Sequence, residues 1–276
     1  MPVQIPTAAV IGQPVGHSLS PSIHQHWLHE LGMAGDYLAH EVAPENLREA
    51  VIKYAGEGYR GLNATIPHKE PALQLCDEVT RAAKEIGAVN TLIFKANKIM
   101  GDNTDAAGFA EHLTHEILNP TLTHATLIGA GGAARAIVFA LKGLGVQSFA
   151  IVNRNLQRAD RLLAELQVRG TVHPHDSRIP PGTSILVNCT SLGMQGQPPL
   201  EIGLSGLLPE TIIADVVYRP LRTELLRTAA ARGHQTVDGL GMLIHQAALA
   251  FEQFYGVRPR IKPGLRNLLE MELSAP

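Results

Sequence analysis

Apolar and polar positions alternate along this chain with two different periods. Short apolar segments bounded by Gly, Pro or Asn indicate buried strands, and segments with apolar residues three or four positions apart indicate helices. In residues 107–118, for example, Phe109, Leu113 and Ile117 fall on one helical face. Because the two kinds of segment alternate, the sequence predicts the α/β class with mostly parallel sheets.

The first part of the chain is predicted to form an open α/β domain. A hairpin is expected around Ala96 and Asn97. The third predicted helix, residues 70–87, has a possible break near Asp77. Ser20 before Pro21 is typical of a helix N-cap followed by a proline in the first turn. The predicted strands cover residues 8–11, 37–41, 61–65, 90–94 and 98–101, and the predicted helices cover residues 21–31, 44–55, 70–87 and 107–118.

A second unit begins near residue 125, with strands and helices in the order of a doubly wound, Rossmann-type domain. Two final helices have no strand between them and are expected to return to the first domain. The expected domains are therefore residues 1–106 with about 238–276, and residues 107–237. The predicted strands cover residues 125–128, 148–153, 184–188 and 211–217, and the helices cover residues 133–144, 159–168, 239–256 and 263–273.

Composition excludes several classes of protein. Of 276 residues, 45% are hydrophobic and 17% are charged, which excludes a mainly disordered chain. The formal net charge of -2 argues against a general nucleic-acid binder and against binding to a membrane surface. The longest apolar stretch, residues 126–146, is interrupted by Arg135 and Lys142, which argues against a membrane span.

Cysteine and histidine usage favours a reducing compartment and argues against a metal centre. Cys76 and Cys189 are too few for a disulfide framework, so a cytoplasmic setting is expected. The N-terminus has no basic segment followed by an apolar one, so no signal peptide is expected. The 13 histidines include pairs three residues apart, but none matches a zinc-binding spacing, so no metal is expected.

Residues 126–135 contain a glycine-rich turn between a predicted strand and a predicted helix. Gly129, Gly131 and Ala134 fit the pattern G-x-G-x-x-G/A, in which backbone approaches a pyrophosphate closely at a helix N-terminus. The alternative is a strand-to-helix turn without a ligand. The next strand ends without the Asp or Glu typical of NAD sites and carries Arg154 and Arg158 instead. Arginines suit a 2′-phosphate, so NADP is favoured over NAD, unless both are only solvated surface charges.

Polar side chains follow the predicted strands of the first domain at the edge where ligands bind open α/β sheets. Lys69 is expected at a helix start, where a cation is disfavoured, which makes it a functional candidate or an ordinary solvated lysine. Asp102 and Asn103 are explained by turn formation alone. The set suits a small polyhydroxylated acid, and it comprises Ser18, Ser20, Thr65, Lys69, Asn90 and Asp105.

Nine segments together resemble the shikimate dehydrogenase family over nearly the whole chain. GQPVGHSLSP and GLNATIPHK are similar to that family's G-x-P-[IV]-x-H-S-x-S-P and G-x-N-V-T-x-P-x-K patterns. The other segments, in order, are IGAVNT, GDNTDAAGF, GAGGAARA, NRN, NCTSLGM, DVVYRP and GLGMLIHQAALAFEQFYG. Three residues depart from the family pattern: Gln25 stands in place of Asn, Ala64 in place of Val, and Asn155 in place of Thr or Ser.

This resemblance implies a substrate-binding domain, an NADP-binding domain and a cleft between them. It implies reversible reduction of 3-dehydroshikimate to shikimate by NADPH, in the biosynthesis of aromatic amino acids. Lys69 and Asp105 would be catalytic, Ser18, Ser20 and Tyr218 would hold the substrate carboxylate, and Thr65, Asn90 and Gln246 would contact the ring. The cofactor would be held by Gly129, Ala130, Gly131, Gly132 and Ala133 at the pyrophosphate, by Asn153, Arg154, Asn155 and Arg158 at the adenosine phosphate, and by Thr190, Val216 and Gly239 at the nicotinamide.

Other functions compatible with these residues stay open. One is a quinate or aminoshikimate dehydrogenase of the same fold, and another is a catalytically silent NADP-binding regulatory protein, against which the intact Lys69 and Asp105 argue. A methyltransferase is disfavoured by Arg154 and Arg158. The expected partner is a small-molecule substrate, with no nucleic acid and no membrane, and the expected state is a monomer or a homodimer.

Overall fold

The computed structural model of the chain describes residues 5–274. These residues form two compact units, one comprising the chain up to Gly108 with Leu243–Glu272, and the other comprising Phe109–Met242 with Leu273 and Ser274. None of the helices in the described residues has the length and apolar character needed to span a bilayer. The α/β fold class predicted from the sequence is confirmed.

The first unit is built on a six-stranded sheet with the order β2-β1-β3-β5-β6-β4. Pairing is parallel between β2, β1 and β3, antiparallel between β3, β5 and β6, and parallel between β6 and β4. The strands are β1 (Thr7–Gly12), β2 (Asp36–Glu41), β3 (Gly61–Ala64), β4 (Glu78–Val79), β5 (Thr91–Lys95) and β6 (Lys98–Asp102). The helices are α1 (Ser20–Glu30), α2 (Leu47–Gly56), α3 (Lys69–Ala72), α4 (Arg81–Ile86) and α5 (Asp105–Glu116).

The predicted hairpin between β5 and β6 is confirmed, and Ala96 and Asn97 both adopt positive φ at its turn. The helix predicted over residues 70–87 is wrong as one continuous element, and the interruption lies near Asp77, where the sequence indicated a possible break. The chain instead forms α3, a short 3-10 turn, the two-residue strand β4 and then α4. The Thr80 hydroxyl accepts the Ala83 N–H and begins α4 afresh, so the Asp77 region is a strand between two helices.

The second unit is built on a parallel six-stranded sheet with the order β12-β11-β10-β7-β8-β9. This is the doubly wound order, and its switch point lies between β7 and β10. The strands are β7 (His124–Ile128), β8 (Ser148–Val152), β9 (Gly170–His173), β10 (Ile185–Asn188), β11 (Ile212–Asp215) and β12 (Thr236–Val237). The helices are α6 (Gly132–Gly143), α7 (Leu156–Glu165) and α8 (Glu224–Ala231). The strands β9 and β12 and the helix α8 are absent from the sequence prediction.

The helices α9 (Gly239–Tyr255) and α10 (Pro263–Ser274) complete the chain, and most of both belongs to the first unit. The return of these helices to the first unit was expected. Strand β1 is buried on both faces, and Ala8 and Val10 pack with Ala250 and Phe254 of α9. A Cβ on Gly61 would lie 2.2 Å from the carbonyl oxygen of Leu92 and 2.4 Å from the ring of Phe254. Only glycine therefore lets β3 pair with β5 while α9 packs on the same strand.

Candidate active site

Lys69 and Asp105 form an ion pair beside the first sheet. Lys69 is the first residue of α3 and Asp105 is the first residue of α5, so both side chains project from helix starts. Lys69 Nζ donates to Asp105 Oδ2 at 2.7 Å, and the two side chains are 16% and 5% exposed. The sequence prediction that Lys69 lies at or just before a helix start is confirmed.

The two charges of this pair hold each other in place. The N-terminus of the 12-residue helix α5 favours the Asp105 carboxylate, whereas the start of α3 disfavours the Lys69 ammonium. Two nearly buried charges attract more strongly than two surface charges, and each would be costly to bury alone. The arrangement therefore keeps a directed ammonium donor at a fixed place.

Asn90, which precedes β5, contacts Gln246 of α9. Asn90 Nδ2 donates to Gln246 Oε1 at 3.2 Å and to Thr104 Oγ1 at 2.9 Å. Both carboxamide side chains are buried, with Asn90 2% and Gln246 7% exposed. The fold thus brings together two predicted ring contacts that are 156 positions apart in sequence. Thr65 follows β3 and is partly exposed.

The start of α1 differs from the sequence prediction for Ser20. Helix α1 begins at Ser20 itself, and no side chain caps it. The N-cap prediction for Ser20 is therefore wrong, and Ser18 Oγ instead accepts the Ser20 N–H at 3.3 Å. Ser20 is buried, with 5% of the residue exposed.

The turn before Asp105 is built by polar side chains, as expected. Asp102 Oδ1 accepts the Asn103 N–H at 2.8 Å, and Asn103 Oδ1 accepts the Ala106 N–H at 3.3 Å. Asn103 Nδ2 donates to the carbonyl of Ala88 at 3.0 Å. These bonds fix the start of α5, and hence the place from which Asp105 projects.

In the second unit, the glycine-rich turn follows β7 at the switch point of the sheet. Gly129 has φ +100, and a Cβ at this position would lie 2.7 Å from Thr190 Cγ2. A residue other than glycine would be strained there and would push against the loop after β10. No side chain caps α6, and its first turn carries no acidic residue. Its first N–H groups have no partner within the helix and suit an anion.

The candidate 2′-phosphate residues lie between β8 and α7. Asn155 caps α7, because its Oδ1 accepts the Arg158 N–H at 3.0 Å, and Asn153 Nδ2 donates to the carbonyl of Asn155 at 2.7 Å. Arg158 Nε donates to the carbonyl of Ala130 at 2.8 Å, so this arginine is tied to the glycine-rich turn. Arg154 is exposed at an open surface depression.

The remaining candidate cofactor and substrate contacts of the second unit follow the ends of its strands, and they are Thr190, Val216, Tyr218 and Gly239. Gly239 begins α9, and a Cβ there would lie 2.3 Å from the carbonyl oxygen of Val216. Thr190 Oγ1 donates to Asn188 Oδ1 at 2.7 Å, and the Val216 N–H donates to the carbonyl of Asn188 at 3.0 Å.

Sequence reasoning missed Asn188 and Asp215, the last residues of the neighbouring strands β10 and β11. Asp215 Oδ1 accepts from Asn188 Nδ2 at 2.9 Å and from the Val217 N–H at 3.0 Å, and Oδ2 accepts from Thr223 Oγ1 at 2.7 Å. Burial raises the pKa of Asp215 to about 6, against the effect of these three hydrogen bonds. Each of these two apolar strands ends in a polar residue, and this pattern in the sequence could have identified Asn188 and Asp215 as candidates.

The second unit fits NADP. A Cβ on Gly131 would meet only Arg158 Nη2, at 3.9 Å, so the backbone at the turn is open to a close ligand. The uncapped start of α6 suits a pyrophosphate, and Arg154 suits a 2′-phosphate. Among residues 5–274, no group of three His, Cys, Asp or Glu side chains is placed to hold a metal ion.

Models of three protein domains match the sequence. They are the shikimate dehydrogenase substrate binding domain at residues 10–92, shikimate / quinate 5-dehydrogenase at residues 112–177, and the shikimate 5'-dehydrogenase C-terminal domain at residues 239–266. The chain is 46% identical over 271 residues to the shikimate dehydrogenase (NADP(+)) of Paracoccus denitrificans, with 96% of each chain covered.

Solved structures resemble the fold closely. The shikimate 5-dehydrogenase of Thermus thermophilus, in complex with NADP(H) and shikimate, has a TM-score of 0.85 and 36% identity, covering 98% of this chain and all of that chain. A quinate dehydrogenase from Corynebacterium glutamicum, in complex with NAD, has a TM-score of 0.86 and 30% identity, covering 98% of this chain and 99% of that chain.

Asp215→Asn tests the buried carboxylate. Between pH 3.8 and about 6 the folded protein binds more protons than the unfolded chain, so the stability of the native protein falls as the pH rises through this window. The Asp215→Asn variant lacks this titration. Urea unfolding at several pH values should show the native protein losing about 3 kcal/mol relative to the variant, with no further change above the window. Parallel pH profiles for the two proteins would contradict the raised pKa.

Proposed function

The chain belongs to the shikimate dehydrogenase family, and from this premise we propose which of its residues perform the reaction. It is an NADP-dependent oxidoreductase that interconverts 3-dehydroshikimate and shikimate in the biosynthesis of aromatic amino acids. The observation that carries the assignment of residues is the nearly buried pair of Lys69 and Asp105, with Nζ 2.7 Å from Oδ2.

Lys69 is the general acid in the direction of reduction. Bound NADPH supplies a hydride to the ketone carbon. The ketone oxygen then gains negative charge and needs a proton, which the Lys69 ammonium donates. In the direction of oxidation the neutral amine of Lys69 accepts the proton of the substrate hydroxyl.

Asp105 orients Lys69 and stabilises its charged form. Its carboxylate holds the ammonium at one place through a charge-assisted hydrogen bond.

The remaining polar side chains of the first unit bind the substrate. Thr65, Asn90 and Gln246 offer hydroxyl and carboxamide groups that match ring hydroxyls. Ser18 and Ser20 offer hydroxyls to the carboxylate, and Tyr218 of the second unit is assigned to the same carboxylate. The Ser20 side chain does not cap α1, so its hydroxyl is not bonded to the helix backbone, and this supports its assignment to the substrate carboxylate.

The second unit binds the cofactor. Residues 129–133 hold the pyrophosphate with backbone N–H groups at the start of α6, which no side chain caps. Arg154 and Arg158, with Asn153 and Asn155, surround the 2′-phosphate. Thr190, Val216 and Gly239 contact the nicotinamide, and the hydrogen bonds that Thr190 and Val216 donate to Asn188 support the first two.

We further propose that residues 1–106 with about 238–276 act as the substrate-binding domain and residues 107–237 as the NADP-binding domain. The free thiols of Cys76 and Cys189 support a cytoplasmic location, since thiols stay reduced there. The functional form is a monomer or a homodimer.

A direct assay tests the proposed function. The purified protein should produce NADPH absorbance when mixed with shikimate and NADP+. Quinate and NAD+ are the comparison, because one close structural relative is a quinate dehydrogenase in complex with NAD. A kcat/KM for quinate above that for shikimate would make the protein a quinate dehydrogenase, and no turnover of either substrate would favour a silent NADP-binding protein.

Lys69→Ala should lower kcat by about 10²–10⁴-fold, since the proton donor is lost. NADPH binding should be unchanged, because the assigned cofactor residues all lie outside the unit that holds Lys69. Steady-state kinetics and NADPH titration would measure both quantities. Lys53→Ala, which removes an exposed lysine, is the control and should behave like the native protein. Turnover close to native in the Lys69→Ala variant would remove Lys69 from this role.

Arg154→Ala should weaken NADPH binding by about tenfold, since one charge-assisted contact to the 2′-phosphate is lost. NADH binding should change by less than about twofold, because NADH lacks that phosphate. Titration with each cofactor measures the two effects. Arg232→Ala removes the same charge from an exposed site at the end of α8 and should leave both affinities unchanged. An equal loss with both cofactors would contradict the assignment.

A further inference from the structure

The buried side chain of Asn188 connects two loops of the second unit. Asn188 ends β10 and is 0% exposed. Its Oδ1 accepts the Thr190 N–H at 3.0 Å and the Thr190 hydroxyl at 2.7 Å. Its Nδ2 donates to the carbonyl of Leu192 at 3.1 Å and to Asp215 Oδ1 at 2.9 Å. Because the carboxamide accepts two bonds and donates two, it has no bond left for a ligand.

The place of Thr190 depends on this carboxamide. The Thr190 N–H can only donate and the Leu192 carbonyl can only accept, so the oxygen and the nitrogen of the carboxamide are assigned without ambiguity. Thr190 has one proton on its backbone nitrogen and one on its hydroxyl, and both go to Asn188 Oδ1. The Leu192 N–H donates in turn to Thr190 Oγ1 at 3.1 Å, so residues 190–192 are held through Asn188.

The same residue holds the loop that follows β11. The backbone carbonyl of Asn188 accepts the Val216 N–H at 3.0 Å. Asp215 Oδ1, to which Asn188 donates, also accepts the Val217 N–H at 3.0 Å. Strands β10 and β11 are parallel, with Asn188 opposite Asp215, so both loops leave the sheet at the same edge. Asn188 therefore anchors Thr190 on one loop and Val216 on the other.

The strand order places these two loops on one side of the glycine-rich turn. Strand β7, which leads into the turn, lies between β10 and β8. The 2′-phosphate candidates Arg154 and Asn155 follow β8, whereas Thr190 follows β10. A dinucleotide bound across this switch point has its adenosine half beside β8 and its nicotinamide half beside β10. The Thr190 methyl lies against the turn, since a Cβ on Gly129 would be 2.7 Å from Thr190 Cγ2.

We propose that Asn188 is a positioning residue that holds both loops in place for the nicotinamide half of NADP and takes no part in binding the adenosine half. This inference rests on the proposed function, because it takes Thr190 and Val216 as contacts of the nicotinamide. Asn188 itself is fully buried, so its effect passes through those two residues. Without its carboxamide, the Thr190 N–H and the Leu192 carbonyl would lose their partner, and the loop would move to satisfy them.

Asn188→Leu tests the proposal, since leucine keeps the branched shape and loses the hydrogen bonds of the side chain. The Kd for NADPH should rise at least about tenfold, the loss expected when buried polar groups lose a partner. The Kd for adenosine 2′,5′-bisphosphate, which carries the 2′-phosphate without the nicotinamide, should stay within about twofold. Titration calorimetry measures both. A merely structural role would change the two affinities alike, so an equal change for the two ligands would overturn the proposal.

Asn63→Leu is the matched control, because Asn63 is also a buried carboxamide, 6% exposed, with hydrogen bonds at both ends of its side chain. It lies on β3 of the first unit, away from the assigned cofactor residues. This variant should be less stable and should keep the Kd for both ligands within about twofold of native. A loss of NADPH affinity as large as that of Asn188→Leu would overturn the proposal. Native protein that fails to oxidise shikimate with NADP+ would instead overturn the proposed function.

Thr190→Val tests the same contact from its other end, should the Asn188→Leu variant not fold. Valine keeps a methyl against Gly129 and removes the hydroxyl proton that goes to Asn188. The Kd for NADPH should rise about fivefold, with the Kd for adenosine 2′,5′-bisphosphate within about twofold. Thr190→Ser keeps the hydroxyl and should bind NADPH within about twofold of native. Equal Kd values for NADPH in folded Thr190→Val and Thr190→Ser variants would overturn the role of Asn188.

Discussion

The ion pair between Lys69 and Asp105 is the interaction on which the proposed chemistry of this protein depends. Two nearly buried charges 2.7 Å apart are tolerated only because each compensates the other. The pair also requires two helix starts to meet: α3 must begin directly after the loop that follows β3, and α5 must begin directly after β6. The mixed strand order of the first sheet makes this possible, since β3, β5 and β6 are neighbours in it.

The two units present polar groups to their ligands in different ways. In the first unit the candidate contacts are side chains, whose oxygen and nitrogen atoms must be aimed. In the second unit the candidate pyrophosphate contacts are backbone N–H groups, which the glycine-rich turn aims through its geometry. In each unit a buried carboxamide hydrogen-bonds to a candidate site residue. Asn63 Nδ2 donates to the carbonyl of Asn90, and Asn188 Oδ1 accepts from Thr190 Oγ1. A carboxamide suits this task because one end only donates and the other only accepts.

The sequence predicted those features that depend on neighbouring residues. The glycine-rich turn between β7 and α6 and the hairpin at Ala96 and Asn97 have local causes in backbone conformation. The strands β4 and β12, two residues each, were missed because so short a segment carries no period. Serine before proline is typical of a helix cap, but α1 begins at Ser20 itself and no side chain caps it.

By itself, the sequence determined the fold class, the switch-point turn and the residue types available for chemistry, because apolar period and glycine placement act over a few neighbouring positions. Only the tertiary structure decided which of those residues meet. Asn90 contacts Gln246 across 156 positions, and Asp215 contacts Asn188 across 27, because sheet order and helix packing bring these segments together. The direction of each buried hydrogen bond is likewise a tertiary property, since it follows from whether the facing group can donate or only accept.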